Sequence, residues 1–283
     1  MMVYVCPREP NASQIAHVAK SIKATAETYV VDDVMVVFPE TCVNWTVEGE
    51  ESEGQRALIE LSTSSQAMIL LGAWFPTAGE GYRNAVVVLE NGTVAAVVDK
   101  MHQVPFVESR PVGTALLKKL GWIPTAAIRD VAPTQRLEID AWKRGKLAVS
   151  LGVCYDIFFG GTFRRFPART VGLSVCCLDE SFDSTGVFRK LSSLHARLRA
   201  VEFRQPMVRS SLGGRSGVTD PDGSQLDPVE VTEAYSVYLV RPRFTETVYE
   251  RWGDWFPLLC CGVGIVAASI TLTRACAVWG NGR

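Results

Sequence analysis

Histidine is scarce in this chain: His17, His102 and His195 are the only three in 283 residues, and they lie far apart. No Cys/His set has the spacing of a zinc site, so no bound metal is expected. Blocks of one charge are missing too. Lys and Arg number 29 against 30 Asp and Glu, a formal net charge of -1, and the basic residues are scattered. That excludes the clustered basic face nucleic-acid binding needs. There is no internal repeat and no low-complexity linker. The eight cysteines show no regular spacing, and a chain this long folds without a disulfide framework. Cys176 and Cys177 lie in an apolar run, where a thiol acts as a small hydrophobe. Sequons at Asn11, Asn44 and Asn91 are frequent enough by chance to carry little weight.

What is present is apolar and patterned. Hydrophobic residues make up 47% and charged residues 21%, which rules out disorder. Length alone suggests about two domains, but a single α/β unit often runs this long. Short β-rich runs occur at 34–38, 68–74, 85–89, 94–98, 147–154, 171–177, 207–211 and 235–240. Asn91-Gly92 between two of them predicts a hairpin. A helix is predicted over 187–204, where Val187, Leu191, Leu194, Leu198 and Val201 form one apolar stripe and Arg189, Lys190, Arg197, Arg199 and Glu202 take the remaining surface. A second, weaker helical pattern covers 15–26. Strands mixed with helices and a hairpin imply a layered α/β domain with a mixed sheet. Asp220-Pro221-Asp222-Gly223 reads as a turn.

The start, Met1-Met2-Val3-Tyr4-Val5-Cys6, reads as a strand and not as a secretory signal. Residues 255–273 differ from all that precedes them. They hold no charge, are bounded by Asp254 and Arg274, and have the length needed to cross a hydrocarbon core as a helix. Trp255 and Trp279 fall where interfacial aromatics belong. The predicted organisation is a domain over 1–240, a Pro/Gly/charge-rich connector over 241–254, a membrane helix over 255–273 and a tail over 274–283. Arg241, Arg243 and Arg251 before the span balance Arg274 and Arg283 after it, so charge does not orient it.

Three polar residues each close an apolar strand: Glu40 after Val36-Val37-Phe38-Pro39, Lys100 after Val97-Val98-Asp99, and Cys154 after Leu151-Gly152-Val153. Any one of them is ordinary at a strand end. Together they supply acyl-transfer chemistry. A thiol attacks acyl carbon as thiolate, so Cys154 needs a proton acceptor or a positive charge nearby. A carboxylate such as Glu40 can take the proton and return it to the leaving group. An ammonium such as Lys100, with a backbone N–H after the nucleophile, can stabilise the oxyanion. Neither a metal, a cofactor nor a histidine is required.

Strand-Pro-Glu, then Lys, then Cys-Tyr at a strand end resembles the nitrilase, or carbon–nitrogen hydrolase, superfamily over residues 2 to 240. The resemblance implies an α-β-β-α sandwich with Glu40 as general base, Lys100 as oxyanion stabiliser and Cys154 as nucleophile. It further implies Glu108, eight residues after the lysine, as a positioning carboxylate, and Tyr155 and Asp156 as substrate contacts. Residues 100–108 (KMHQVPFVE) and 194–202 (LHARLRAVE), followed by Arg204-Gln205-Pro206 and Arg209-Ser210, are similar to segments of apolipoprotein N-acyltransferases. In that family a terminal membrane helix follows the catalytic domain. The resemblance implies an acyl chain carried from a phospholipid, as a Cys154 thioester, to the N-terminal amine of a lipoprotein, by a domain on the outer side of the bacterial cytoplasmic membrane. Three features depart from the family: no membrane bundle precedes the first strand, Asp156 stands where Glu is usual, and 178–182 (LDESF) is more acidic than usual. Two other readings share the fold: an amidase that hydrolyses a small amide, and a non-catalytic accessory protein of envelope or conjugation machinery.

Overall fold

The computed structural model describes residues 1–29, 33–47, 50–77, 82–109, 119, 141–144, 147–164 and 171–280. Two sheets face each other. The first carries β1 (Met2–Val5), β2 (Val34–Val37), β3 (Val43–Asn44), β4 (Met68–Pro76), β5 (Tyr82–Glu90), β6 (Thr93–Asp99), β12 (Glu230–Val231) and β13 (Ser236–Leu239), in the order β12-β13-β1-β2-β4-β5-β6 with β3 paired to β4. The second runs β11-β10-β9-β8-β7, from β7 (Ala141–Arg144), β8 (Leu147–Val153), β9 (Val171–Asp179), β10 (Met207–Leu212) and β11 (Gly217–Thr219). β1, β2, β3 and β4 are mutually parallel, as are β8, β9 and β10, and the remaining strands pair antiparallel.

The period-2 alternation of side chains sorts each strand into two cores. Val3, Val5, Met35, Val37, Val86 and Val88 of the first sheet meet Val149, Leu151, Val153, Val175 and Val208 of the second. Met2, Tyr4, Val36, Ile69 and Val87 point the other way, against α1 (Ala12–Thr28) and α2 (Glu53–Ser65). On the far face of the second sheet, Cys176, Leu178 and Met207 pack with Phe163 of the one-turn α3 (Gly160–Phe163) and with Ala196, Ala200 and Phe203 of α4 (Val187–Phe203). The layers are helix, sheet, sheet, helix. Burial on both faces explains why the parallel strands read as near-continuous apolar runs.

Every predicted strand is present. The hairpin joins β5 to β6 with Asn91 and Gly92 both at positive φ, as a tight two-residue turn of this hand requires. Not anticipated is α2, which buries Leu58 and Leu61 on one face. Its signal was the cap: the Ser52 side chain accepts from the Gln55 amide.

One pattern is inverted. An apolar stripe on a surface helix ordinarily faces the core. On α4, however, Val187, Leu191, Leu194, Leu198 and Val201 are all exposed, between 37% and 57%. The buried face is instead Ser192, Ala196, Arg199, Ala200 and Phe203. The small residues let the helix approach the sheet, and Ser192 hydrogen bonds a buried glutamate, Glu180, beneath it.

After β13 the chain crosses back over α4. In the short helix α5 (Val248–Trp252), Tyr249 packs edge-on to Phe203, and the Thr247 hydroxyl donates to the Glu202 carbonyl at 2.6 Å. α6 (Trp255–Gly280) follows at once. Residues Trp255–Thr273 are long and apolar enough to cross a membrane, and none of that stretch is buried against the domain. The helix continues to Gly280, through most of what the sequence assigns to a tail. Side chains beyond Thr273, including Arg274 and Trp279, and all of residues 281–283 lie outside the described residues.

Candidate active site

The strand ends position the chemistry. After β2 the chain turns at Pro39-Glu40-Thr41, with Thr41 in the left-handed region. The turn is pinned to both sheets: the Gly72 amide donates to the Pro39 carbonyl, and the Glu40 amide donates to the Leu178 carbonyl of β9. Gly72 has no substitute, because a Cβ there would lie 2.3 Å from the Glu40 Cα. Lys100 follows β6 directly, its amide donating to the Asn84 carbonyl of β5. Cys154 ends β8 and opens a 3-10 turn, Cys154–Phe158, with a φ of 46°. That left-handed conformation costs a non-glycine residue about 1–3 kcal/mol and re-aims its side chain away from the strand direction.

These residues meet in the space between the sheets. Lys100 Nζ donates to Glu40 Oε1 at 3.1 Å and to Glu108 Oε1 at 2.8 Å. Glu40 is fixed at both oxygens: Oε1 also accepts from Asn84 Nδ2 at 2.6 Å, and Oε2 from the Asp179 amide at 2.8 Å. Glu108 closes its own loop, with Oε2 accepting from the Val104 amide at 2.8 Å. The Cys154 thiol lies against the Asp179 carbonyl and faces the charges of both Glu40 and Lys100. Glu40 and Lys100 are 3% exposed and Cys154 4%.

This enclosure sets the protonation states. Burial pushes the Cys154 thiol well above its ordinary range; Glu40 raises it further, and Lys100 only partly opposes this. Burial alone would lower the Lys100 ammonium, but Glu40, Cys154 and Glu108 outweigh it and hold the group above its usual value. The resting site therefore holds a neutral thiol beside a charged ammonium and its carboxylates.

Asp156 is turned inward. Its Oδ2 accepts from the Val153 and Met101 amides, at 3.0 and 3.2 Å, and its Oδ1 from the His102 amide at 2.8 Å. His102 Nδ1 lies 2.9 Å from the same Oδ1, and its ring stacks on Phe159 at 3.8 Å. The resemblance implied a substrate contact at Asp156. Its carboxylate ties the loop after Lys100 to the turn after Cys154. Tyr155 is half-buried, with its ring against Phe158 and Phe159. Two participants were not legible in the sequence, Asn84 and the backbone of Asp179, because a strand-interior Asn and a main-chain amide carry no motif. A third feature lies just behind them. Glu180, fully buried, is ion-paired to Arg209 and accepts from the hydroxyls of Ser192 and Ser211.

Facing sheets under helical layers, with Glu, Lys and Cys gathered at strand ends, give the fold of the nitrilase superfamily. A cysteine-to-alanine mutant of the amidase from Nesterenkonia AN1, of that superfamily, superposes with a TM-score of 0.61 over 93% of this chain and 96% of the amidase, at 15% identity. A glutamate-to-leucine mutant of the same amidase, which shows covalent addition of the acetamide moiety of fluoroacetamide at its active-site cysteine, gives a TM-score of 0.60 at 17% identity. No family model matches the chain. In sequence it is similar to apolipoprotein N-acyltransferases. The protein of that name from Gloeobacter violaceus is 27% identical over 262 residues, 86% of this chain and 48% of that protein. The one from Bradyrhizobium diazoefficiens is 28% identical over 237 residues, 80% of this chain and 43% of that protein. The chain thus spans about half the length of the curated relatives it matches.

Proposed function

We propose that this protein is a membrane-anchored, cysteine-dependent acyltransferase that takes a fatty acyl chain from a phospholipid and delivers it to the N-terminal amine of a lipoprotein. The observation that carries this reading is the pairing, in one chain, of an enclosed Glu40–Lys100–Glu108–Cys154 cluster with an apolar helix whose span is not buried against the domain. The similarity to apolipoprotein N-acyltransferases, over 80–86% of the chain, supports it. A lipid donor gives such a helix an evident use, and we place the domain on the outer side of the cytoplasmic membrane.

In this reading Glu40 takes the thiol proton as Sγ attacks the donor ester carbonyl. Lys100 and the Tyr155 amide stabilise the oxyanion. The carbon–oxygen bond then breaks, and Glu40 returns the proton to the departing alkoxide, leaving a thioester on Cys154. The acceptor amine attacks that thioester, gives a proton to Glu40 and displaces the thiolate, which is reprotonated. Glu108 holds Lys100 in line, and Asp156 holds the loop and the nucleophile turn together. With every reacting group nearly buried, the thioester is shielded from water.

The test is the intact mass of the full chain after incubation with phospholipid and no amine acceptor. One acyl group should be added to the parent, removable by neutral hydroxylamine, and none to Cys154→Ala. Rapid hydrolysis of short amides without any adduct from phospholipid would replace this reading with the amidase.

A further inference from the structure

The face of α4 turned away from the domain has the make-up of a membrane-surface helix. Its stripe, Val187, Leu191, Leu194, Leu198 and Val201, is exposed along the full helix, about 25 Å at 1.5 Å per residue. Lys190, Arg197 and Arg204 recur every seven residues along one edge of the stripe, and all three are exposed. Beside that edge lies an open depression of about 780 Å³ whose lining, among the described residues, includes Lys190, Arg197, Arg215, Leu194 and Arg189, the last paired with Asp183 behind it, and no carboxylate. Apolar side chains flanked by Lys and Arg are the composition of helices that lie in the headgroup–acyl boundary. The C-terminal end of α4 is also where the chain leaves for α6: Glu202 and Phe203 hold α5, and α6 begins three residues after α5 ends.

We propose that the outward face of α4 docks on an anionic phospholipid surface, its leucine stripe in the acyl boundary and the basic depression over lipid phosphates. This rests on the reading of α6 as the anchor. Charge complementarity argues for lipid as the occupant. A negatively charged leaflet attracts each nearby Lys or Arg, whereas an antiparallel twofold pair of α4 helices would set the basic edge of one copy against that of the other. Docking here would hold the domain at a fixed height and tilt above the bilayer, where α6 alone leaves it free to swing.

The test uses the full chain in vesicles of phosphatidylglycerol and phosphatidylcholine, with p-benzoylphenylalanine at Leu194 or, as a control, at exposed Val231 on the edge of the other sheet. Illumination should give phospholipid adducts at Leu194 and not at Val231. The yield should fall several-fold in phosphatidylcholine alone, or when Lys190, Arg197 and Arg215 are each changed to Glu in a chain of unchanged thermal stability. Chain-to-chain adducts at Leu194 would assign the face to a second copy and overturn the inference. A chain that resists alkaline extraction from the vesicles yet gives no lipid adduct at Leu194 would overturn this inference alone. A chain washed off the vesicles would overturn both it and the anchor.

Discussion

Cys154 reacts only when its proton leaves, and its resting surroundings oppose that, since burial and Glu40 both raise the thiol. In the proposed reaction activation is therefore coupled to attack, with Glu40 taking the proton while Lys100 meets the oxyanion. Glu40→Gln keeps the size and the acceptor for Asn84 but removes the base. Acyl-enzyme formation should slow by about 10²–10⁴, the usual worth of general-base help, with the melting temperature little changed. A time course of adduct mass reads the rate directly, and parent-like kinetics would remove Glu40 from the base role. At this scale the sequence was informative where chemistry needs a particular side chain. Glu40, Lys100 and Cys154 each follow an apolar strand, Glu108 is implied by the family resemblance, and these four are the residues the fold brings together. Asn84 was invisible because its value lies in which strand is paired beside it.

At the scale of elements, the site depends on how β9 ends. The Asp179 amide and carbonyl face Glu40 and Cys154, and the next residue, Glu180, is clamped from behind by Arg209, Ser192 and Ser211. Arg209→Met leaves the Glu180 charge buried without its cation, which should cost about 3–5 kcal/mol. Adding Glu180→Gln should restore much of that stability, because the uncompensated charge is then gone. Denaturant melts of the parent and the two variants check this, and a single substitution costing under about 1 kcal/mol would show that the pair is not holding the strand end. The clamp also accounts for the inverted α4. The helix faces the sheet through Ser192 because a hydroxyl can satisfy buried Glu180, which none of the stripe's valines or leucines can do.

Across the whole molecule, two predictions concern the junction between domain and anchor. Burial, opposed by Arg199 and reinforced by Asp254, pushes the Glu202 carboxyl up to about 7 from 4.5. Raised in the folded state, it contributes stability that is complete below about pH 4.5 and is lost as pH climbs through about 7. Glu202→Gln should therefore melt like the parent near pH 4.5 and at a higher temperature near pH 8. Identical pH profiles would mean that Glu202 titrates normally. The second prediction concerns α6. Val263→Arg puts a charge near the middle of the span at about 2.5–3.5 kcal/mol on the insertion scale. It should weaken membrane retention while leaving the domain's melting temperature unaltered, since none of that stretch is buried against the domain. A drop in domain stability would instead identify α6 as a core helix.

The sequence by itself determined the local alphabet of this protein. The strands follow from short β-rich runs, the β5–β6 hairpin from Asn91-Gly92, and the uncharged stretch 255–273 from its length. These are properties of a few consecutive residues, set by backbone sterics and by the transfer of apolar groups from water. Which face of a helix is buried is not such a property. The stripe of α4 was legible as a stripe, but its direction was decided by Glu180 and Arg209, residues from two strands that meet beneath Ser192 only once β9 and β10 pair. The protonation states are of the same kind. The Cys154 thiol and the Lys100 ammonium would titrate normally in water, and only the closing of two sheets over them withdraws the solvent and sets them among fixed charges.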